Sequence, residues 1–238
     1  MIPKIIHYCW FGGKEKPASA EKCIQSWKKY CPTYEIKEWN EQNFDVNMNV
    51  YTRYCFENKK WAFLSDYVRL FAVYQEGGIY LDTDVEVVKC LDELLQMGAF
   101  FGRENVQFIN SGLGFGATKK HSIIAKMCRY YEEVDSINAE APSLMTCPKI
   151  NTSVLLKEGF SQVEETQCIN GITVFAKDYF NPYNDATGRL TLTKNTYSIH
   201  WYSKSWIPKI KVFRSKITRI FHRLFGVDCF RRKKNKQR

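Results

Sequence analysis

The chain predicts an α/β fold with a mainly parallel sheet. Three observations carry this. The chain opens strand–helix–strand, a long amphipathic helix ends in paired glycines, and a short β-rich run follows those glycines directly. Residues 2–10 read as a buried first strand, ended by Phe11-Gly12-Gly13. Residues 18–30 read as a helix, with Pro17 suited to its first turn. Residues 34–39 alternate and read as a second strand, which completes a βαβ start. Residues 60–75 form the long helix, with Leu64, Val68, Phe71 and Ala72 at the spacing of one buried face. Glu76-Gly77-Gly78 stops it, since glycine takes the left-handed cap without strain. Further along, 98–117 read as two short strands, 121–134 and 143–157 as helices, and 173–176 and 196–201 as late strands.

The net charge of +10 is uneven. Residues 207–238 hold 12 Lys/Arg against one acid, Asp228, which leaves 23 Lys/Arg against 24 acids for 1–206. The basic character belongs to an appendage, so a nucleic-acid-binding body is not indicated. The expected division is a catalytic domain over 1–206 and a basic tail over 207–238. Nine cysteines, an odd number with no CxxC pair, argue against a disulfide framework or a zinc cluster and for a reducing compartment. The N-terminus shows no signal-peptide pattern, and no run approaches the roughly 18 apolar residues of a membrane span. The expected location is cytoplasmic, peripheral at the inner face of a membrane.

The chemistry centres on Gly77-Gly78-Ile79-Tyr80-Leu81-Asp82-Thr83-Asp84. Alternate residues of a strand share a face, so Asp82 and Asp84 can address one site. Paired carboxylates at a strand end suit Mg²⁺ or Mn²⁺, which keep substrate phosphate oxygens as further ligands. A solvated turn is the plainer alternative. Asp66 and Arg69 lie three apart on the preceding helix, away from its apolar stripe. Alone they read as a surface ion pair of little worth, but their helix runs straight into the Asp-x-Asp strand. His200 closes a late strand in Ile199-His200-Trp201-Tyr202-Ser203-Lys204-Ser205-Trp206, where imidazole is a plausible third ligand. Lys204 and Ser205 offer phosphate contacts; Trp201 and Trp206 are stacking platforms or packed rings.

Together, residues 2–10, 62–69, 77–84 and 200–206 resemble the glycosyltransferases with an Asp-x-Asp sugar-binding region, family 32. That family includes bacterial capsule and lipopolysaccharide enzymes and yeast α-1,6-mannosyltransferases, and is distantly similar to the glucosylating domain of large clostridial toxins. The resemblance covers most of 1–206 and implies a GT-A fold, a nucleotide-sugar donor, a divalent cation and a retaining transfer. It implies that His7 to Trp10 line the nucleotide pocket, and that Asp66 and Arg69 hold ribose and sugar hydroxyls. Tyr80 and Asp82 would also bind the nucleotide-sugar. Asp82, Asp84 and His200 would hold the metal, Asp84 most directly, and Ser205 and Trp206 would touch the diphosphate. Asn110, in Asn110-Ser111-Gly112, stands where relatives often carry an Asn facing the sugar. Thr146-Cys147-Pro148 departs from a common Thr-Gly-Pro and leaves the acceptor side open. The donor base is expected to be uridine, and the acceptor a saccharide or lipid-linked saccharide in surface polysaccharide synthesis.

In the tail, Ile210, Phe213, Ile217, Ile220, Phe221 and Leu224 cluster on one helical side, with Lys209, Lys211, Lys216, Arg219 and Arg223 on the other. Arg231 to Lys234 add a basic run. An interfacial helix over 208–238 on anionic lipid is one reading; docking on its own domain and a solvated tail are others. Two competing functions stand beside the transferase. A haloacid-dehalogenase-like phosphatase also carries two aspartates one residue apart, but in its first strand and with Thr or Val where this chain has Glu86. A non-catalytic adaptor, binding membrane or nucleic acid, would explain 207–238 and nothing before it.

Overall fold

β1 (Ile5–Cys9) pairs in parallel with β2 (Glu35–Trp39) on one side and with β3 (Gly78–Tyr80) on the other. The structure is a computed structural model that describes residues 1–134, 144–203, 218–227 and 229. α1 (Ala18–Tyr30) crosses from β1 to β2 and buries Ala20, Cys23, Ile24 and Trp27 from one face, as expected. α2 (Val50–Glu57) escaped the periodicity reading. Its signal is the reciprocal cap between Asn49 and Thr52. α3 (Trp61–Glu76) is buried on two sides: Leu64, Val68 and Ala72 enter the core, while Asp66 and Arg69 are buried towards a cleft.

The glycine pair after α3 is there for space as well as conformation. Gly77 and Gly78 have φ of +73° and +109°. A β-carbon on Gly77 would come within 2.8 Å of the Lys119 amide nitrogen, and one on Gly78 within 2.8 Å of the Ile5 carbonyl. The chain can therefore turn from α3 into β3 directly against β1.

The main sheet runs β2-β1-β3-β6-β5-β8-β7, with β5 (Ala99–Gly102), β6 (Phe115–Ala117), β7 (Gln167–Ile169) and β8 (Ile172–Phe175). It is mixed, which corrects the expectation of a mainly parallel sheet. β3–β6, β5–β6 and β7–β8 are antiparallel. For β5–β6 and β7–β8 the reason is connectivity: a parallel neighbour needs a crossover element, and no helix lies between the strands of either pair. β7 and β8 are joined by Asn170-Gly171, both at positive φ, the Asn-Gly hairpin turn. β4 (Val85–Val87) leaves the main sheet and pairs antiparallel with β11 (Ser198–His200). A 3-10 helix spans Asp92–Gln96, α4 (Ser122–Val134) packs against α3, and α5 (Cys147–Lys157) packs against α4. The one-turn α6 (Lys177–Phe180) leads to the hairpin β9 (Tyr183–Asn184) and β10 (Arg189–Leu190).

The core has two halves, one on each face of the sheet. Phe101, Phe115 and Val174 pack under α3, while Ile6, Leu81 and Phe100 pack with Trp27 of α1. Phe100 and Phe101 reach opposite faces because strand side chains alternate. All nine cysteines are free, six of them buried. Among the described residues, no helix is long and apolar enough to cross a membrane. Residues 218–225 are helical. Residues 204–217, which include Lys204, Ser205, Trp206, Ile210, Phe213 and Ile217, lie outside the described residues, as do 228 and 230–238.

Candidate active site

A cleft of about 430 Å³ opens where β1, β3 and β11 end. Its floor is an ion-pair chain. Arg69 Nη2 sits 3.1 Å from both Asp66 Oδ1 and Asp82 Oδ1. Tyr80 donates its hydroxyl to the same Asp82 oxygen at 2.9 Å, and the guanidinium lies 5.0 Å from the Tyr80 ring centre. Arg69 Nε also donates to the Ser65 carbonyl one turn back. The i,i+3 pair that alone would be a surface contact is thus a buried, fixed part of the cleft.

Asp84 and His200 form the end of the cleft. Pairing of β4 with β11 sets His200 opposite Val85, the residue after Asp84. His200 Nε2 lies 3.1 Å from Asp84 Oδ1, and the Ser203 amide donates to Asp84 Oδ2 at 2.7 Å. One ligand atom each from Asp82, Asp84 and His200 falls within 4.8 Å of the others. Two carboxylates and an imidazole at that spacing match the donors a divalent cation of the Mg²⁺/Mn²⁺ class takes, so the residues present fit one.

The electrostatics agree with a site built for positive charge. Burial raises the Asp82 carboxyl above its usual range; Arg69 opposes the rise and Asp84 adds to it. Burial pushes Asp66 up to about 6, with Arg69 opposing and Asp82 adding. Burial also works against ionised Asp84, but His200 and Ser203 outweigh it and hold that carboxyl well below its usual range. Burial disfavours the charge on His200 too, yet Asp84 and Asp82 raise its pKa overall. The Asp82 carboxylate, disfavoured by burial and by Asp84, is relieved when a cation enters.

Aromatic side chains supply part of the cleft wall: Trp10, Phe11, Trp61 and Phe63. Gly12 lets that wall close, since a β-carbon there would lie 2.8 Å from the Trp61 ring. Asn110 and Glu104 also line the cleft. Asn110 Nδ2 donates to Glu104 Oε2 at 2.8 Å, and its Oδ1 accepts from the Gly112 amide at 2.7 Å and from the Cys147 thiol at 3.4 Å. The start of α5, Thr146-Cys147-Pro148, also lines the cleft.

Of the residues singled out by motif, Trp10, Asp66, Arg69, Tyr80, Asp82, Asp84, Asn110 and His200 all line this one cleft. His7 does not. It is fully buried, and Trp39 Nε1 donates to its Nδ1 at 3.0 Å while its Nε2 lies 2.7 Å from the Gly77 carbonyl. Those bonds make it a neutral strut under the glycine turn, and burial lowers its pKa accordingly. Its neighbours Cys9 and Trp10 reach the cleft instead. The motif reading passed over Trp61 and Glu104, and gave no role to Tyr202 and Ser203 within the 200–206 segment. Trp61 stands one residue before the Ala62-to-Arg69 segment and was legible there; Glu104 carries no local signal.

Residues 17–101 match the family model described as glycosyltransferase sugar-binding region containing DXD motif. Over that stretch the chain is similar to glycosyltransferases with a DXD sugar-binding region. The chain is 25% identical over 230 residues to an uncharacterized glycosyltransferase of Acanthamoeba polyphaga mimivirus, covering 89% of this chain and 86% of that one. It is 31% identical over 139 residues to inositol phosphoceramide mannosyltransferase 3 of Schizosaccharomyces pombe, covering 54% of this chain but only 36% of that protein. Its fold resembles the solved PaToxG glycosyltransferase, with a TM-score of 0.52, 19% identity, and 66% of this chain and 69% of that one covered. The mixed α/β sheet is thus of the GT-A kind. The phosphatase reading ends here, since Asp82 and Asp84 follow β3 and not the first strand, and so does the non-catalytic adaptor.

Proposed function

We propose that the cleft binds a nucleotide-sugar, UDP-linked in preference to GDP-linked, together with Mn²⁺ or Mg²⁺, and transfers the hexose with retention to a saccharide or lipid-linked acceptor. The observation that carries this is the meeting of Asp82, Asp84 and His200 in the same cleft as the buried Asp66–Arg69 pair. The aromatic wall of Trp10, Phe11, Trp61 and Phe63 offers faces for a base. Asp66, Asn110 and Glu104 offer hydrogen-bond partners for ribose and sugar hydroxyls. Asp82, Asp84 and His200 would hold the cation, with Asp84 as its most direct ligand. A bound cation supplies Lewis-acid neutralisation of the diphosphate.

Arg69 stays protonated, since Asp82, Tyr80 and Asp66 outweigh the effect of burial. Its fixed guanidinium opposes the rise that burial imposes on Asp82 and aims that carboxyl, which preorganises the charged end before the donor arrives. In the transfer, the bond from the anomeric carbon to phosphate oxygen breaks and one to the acceptor oxygen forms on the same face. The acceptor proton passes to the departing diphosphate. Surface polysaccharide synthesis at the cytoplasmic face of a membrane is the setting this reading favours.

The test is hydrolysis of a panel of UDP- and GDP-sugars with Mn²⁺, with EDTA and Asp84→Ala as controls. Release of nucleotide from one sugar, abolished by both controls, is the expected result. A folded protein with no turnover and no metal-dependent nucleotide binding would overturn the reading.

A further inference from the structure

The helical residues 218–225 turn their polar side inward. Arg219 Nε donates to the Asp185 carbonyl at 2.8 Å, and its Nη2 pairs with the Asp185 carboxylate. Arg223 Nη2 donates to the Gly188 carbonyl at 3.1 Å, and His222 Nδ1 lies 3.1 Å from the Ala186 carbonyl. All these partners sit in the turn between β9 and β10. A helix docked on its own domain normally buries its apolar stripe. Here the apolar residues face out: Ile220 is 63% exposed, Leu224 and Phe225 69%, and Val227 53%. Large apolar side chains gathered on the outer side of a pinned helix mark a surface that meets something else.

Charge says what that partner is. Residues 207–238 carry 12 Lys/Arg against Asp228 alone, while the body is close to neutral. An apolar row within so cationic a segment matches an anionic bilayer, where the side chains enter the acyl boundary and the charges meet the headgroups. Position says what it is for. The Arg219 guanidinium lies 5.7 Å from the Tyr183 ring centre, and the Tyr183 ring lies 5.3 Å from that of Trp201. Trp201 is followed by Tyr202, which lines the cleft.

We propose that Ile220, Leu224, Phe225 and Val227 insert into an anionic lipid surface and hold the cleft beside it, so that the acceptor is anchored in lipid. Arg219 and Arg223 act as the clamp that orients the helix, and the rest of the basic tail supplies the attraction. The acceptor part rests on the transferase reading above; the membrane part does not.

The experiment is co-sedimentation of the full chain with phosphatidylcholine vesicles, with and without phosphatidylglycerol. The bound fraction should rise about tenfold with the anionic lipid, and fall as salt approaches about 1 M, where the screening length shrinks to about 3 Å. The triple variant Ile220→Glu, Leu224→Glu, Phe225→Glu should bind at least about tenfold less. Its circular dichroism should be unchanged, because those side chains are exposed. No sedimentation of the parent chain with anionic vesicles, or undiminished sedimentation of the variant, overturns the proposal. So does a concentration-dependent dimer that the variant disperses, which would give this face to a second copy. Donor hydrolysis without vesicles is read separately, so failure of the transferase reading shows there and not in sedimentation.

Discussion

Asp82 occupies the space that a side chain on Gly112 would need. A β-carbon there would overlap Asp82 Oδ2, lie 3.0 Å from Asn110 Oδ1 and 3.2 Å from Arg69 Nη1. The loop before β6 therefore closes on the carboxylate with backbone alone, and the Gly112 carbonyl accepts from the Asp82 amide at 3.3 Å.

Gly112→Ala should displace Asp82 and Asn110 together. A misplacement of about 1 Å at a reacting centre costs roughly 100-fold in rate, so kcat/KM for donor hydrolysis should fall by about that much. Thermal stability should fall by only about 1–3 kcal/mol, the usual cost of overpacking. A variant with full activity would show that Asp82 needs no fixed position.

Asp84→Asn and His200→Ala should each weaken Mn²⁺ binding by at least about 100-fold, since loss of an outer-shell partner alone costs about 10–100-fold. Isothermal titration of Mn²⁺ into the metal-free variants reads this directly. Affinity within twofold of the parent would remove the residue from the ligand set.

Asp66 gives a stability signature with a definite sign. Burial raises its carboxyl to about 6 in the folded chain. The unfolded state therefore ionises first, and this group's contribution is fully present below about pH 4 and lost as pH rises through about 6. Asp66→Asn has no such dependence. In EDTA, the difference in melting temperature, variant minus parent, should move in the variant's favour between about pH 4 and 7, by the equivalent of about 1–3 kcal/mol. A flat difference would mean that Asp66 ionises normally.

Glu104→Gln should keep the fold and the Mn²⁺ affinity but raise the KM for a sugar substrate about tenfold, the cost of one hydrogen bond to a charged group. The bond from Asn110 survives in the glutamine variant, so Glu104→Ala should cost more than Glu104→Gln. Equal losses in both would assign Glu104 to carboxylate contacts alone.

His7→Phe separates a strut from a ligand contact. It leaves the Gly77 carbonyl and the Trp39 indole N–H unpaired in the core, which costs roughly 1–3 kcal/mol per group. The melting temperature should drop, while the nucleotide Kd measured well below it stays the same. An intact melting temperature with weakened nucleotide binding would return His7 to the pocket.

Much of the fold lay in local pattern. The βαβ opening, the amphipathic α3 and its glycine stop follow from spacings within a few residues, and so do the late strands. Two short signals were present and passed over: the Asn49/Thr52 cap before α2 and the Asn170-Gly171 turn between β7 and β8. Strand direction was harder to read, because a buried strand looks alike in parallel and antiparallel pairing. Only the connections decide, and β5, β6, β7 and β8 are short strands with little amphipathic contrast.

The amino-acid sequence by itself determined the chemistry on offer: two carboxylates after paired glycines, an acid and an arginine three apart on the helix before them, a late histidine, and a basic tail with an apolar stripe. Only the tertiary structure decided which of these meet. β4 pairing with β11 brings His200 to Asp84, although more than half the domain separates them along the chain. Packing of the α5 start and the Asn110 loop over α3 turns a surface ion pair into a buried one, and adds Glu104. It also withdrew His7 from the cleft and left Ile220, Leu224 and Phe225 facing outward. The physical reason is common to all of these. Side-chain periodicity records which way a residue faces within its own element, whereas proximity between elements is set by sheet pairing and close packing across the whole core.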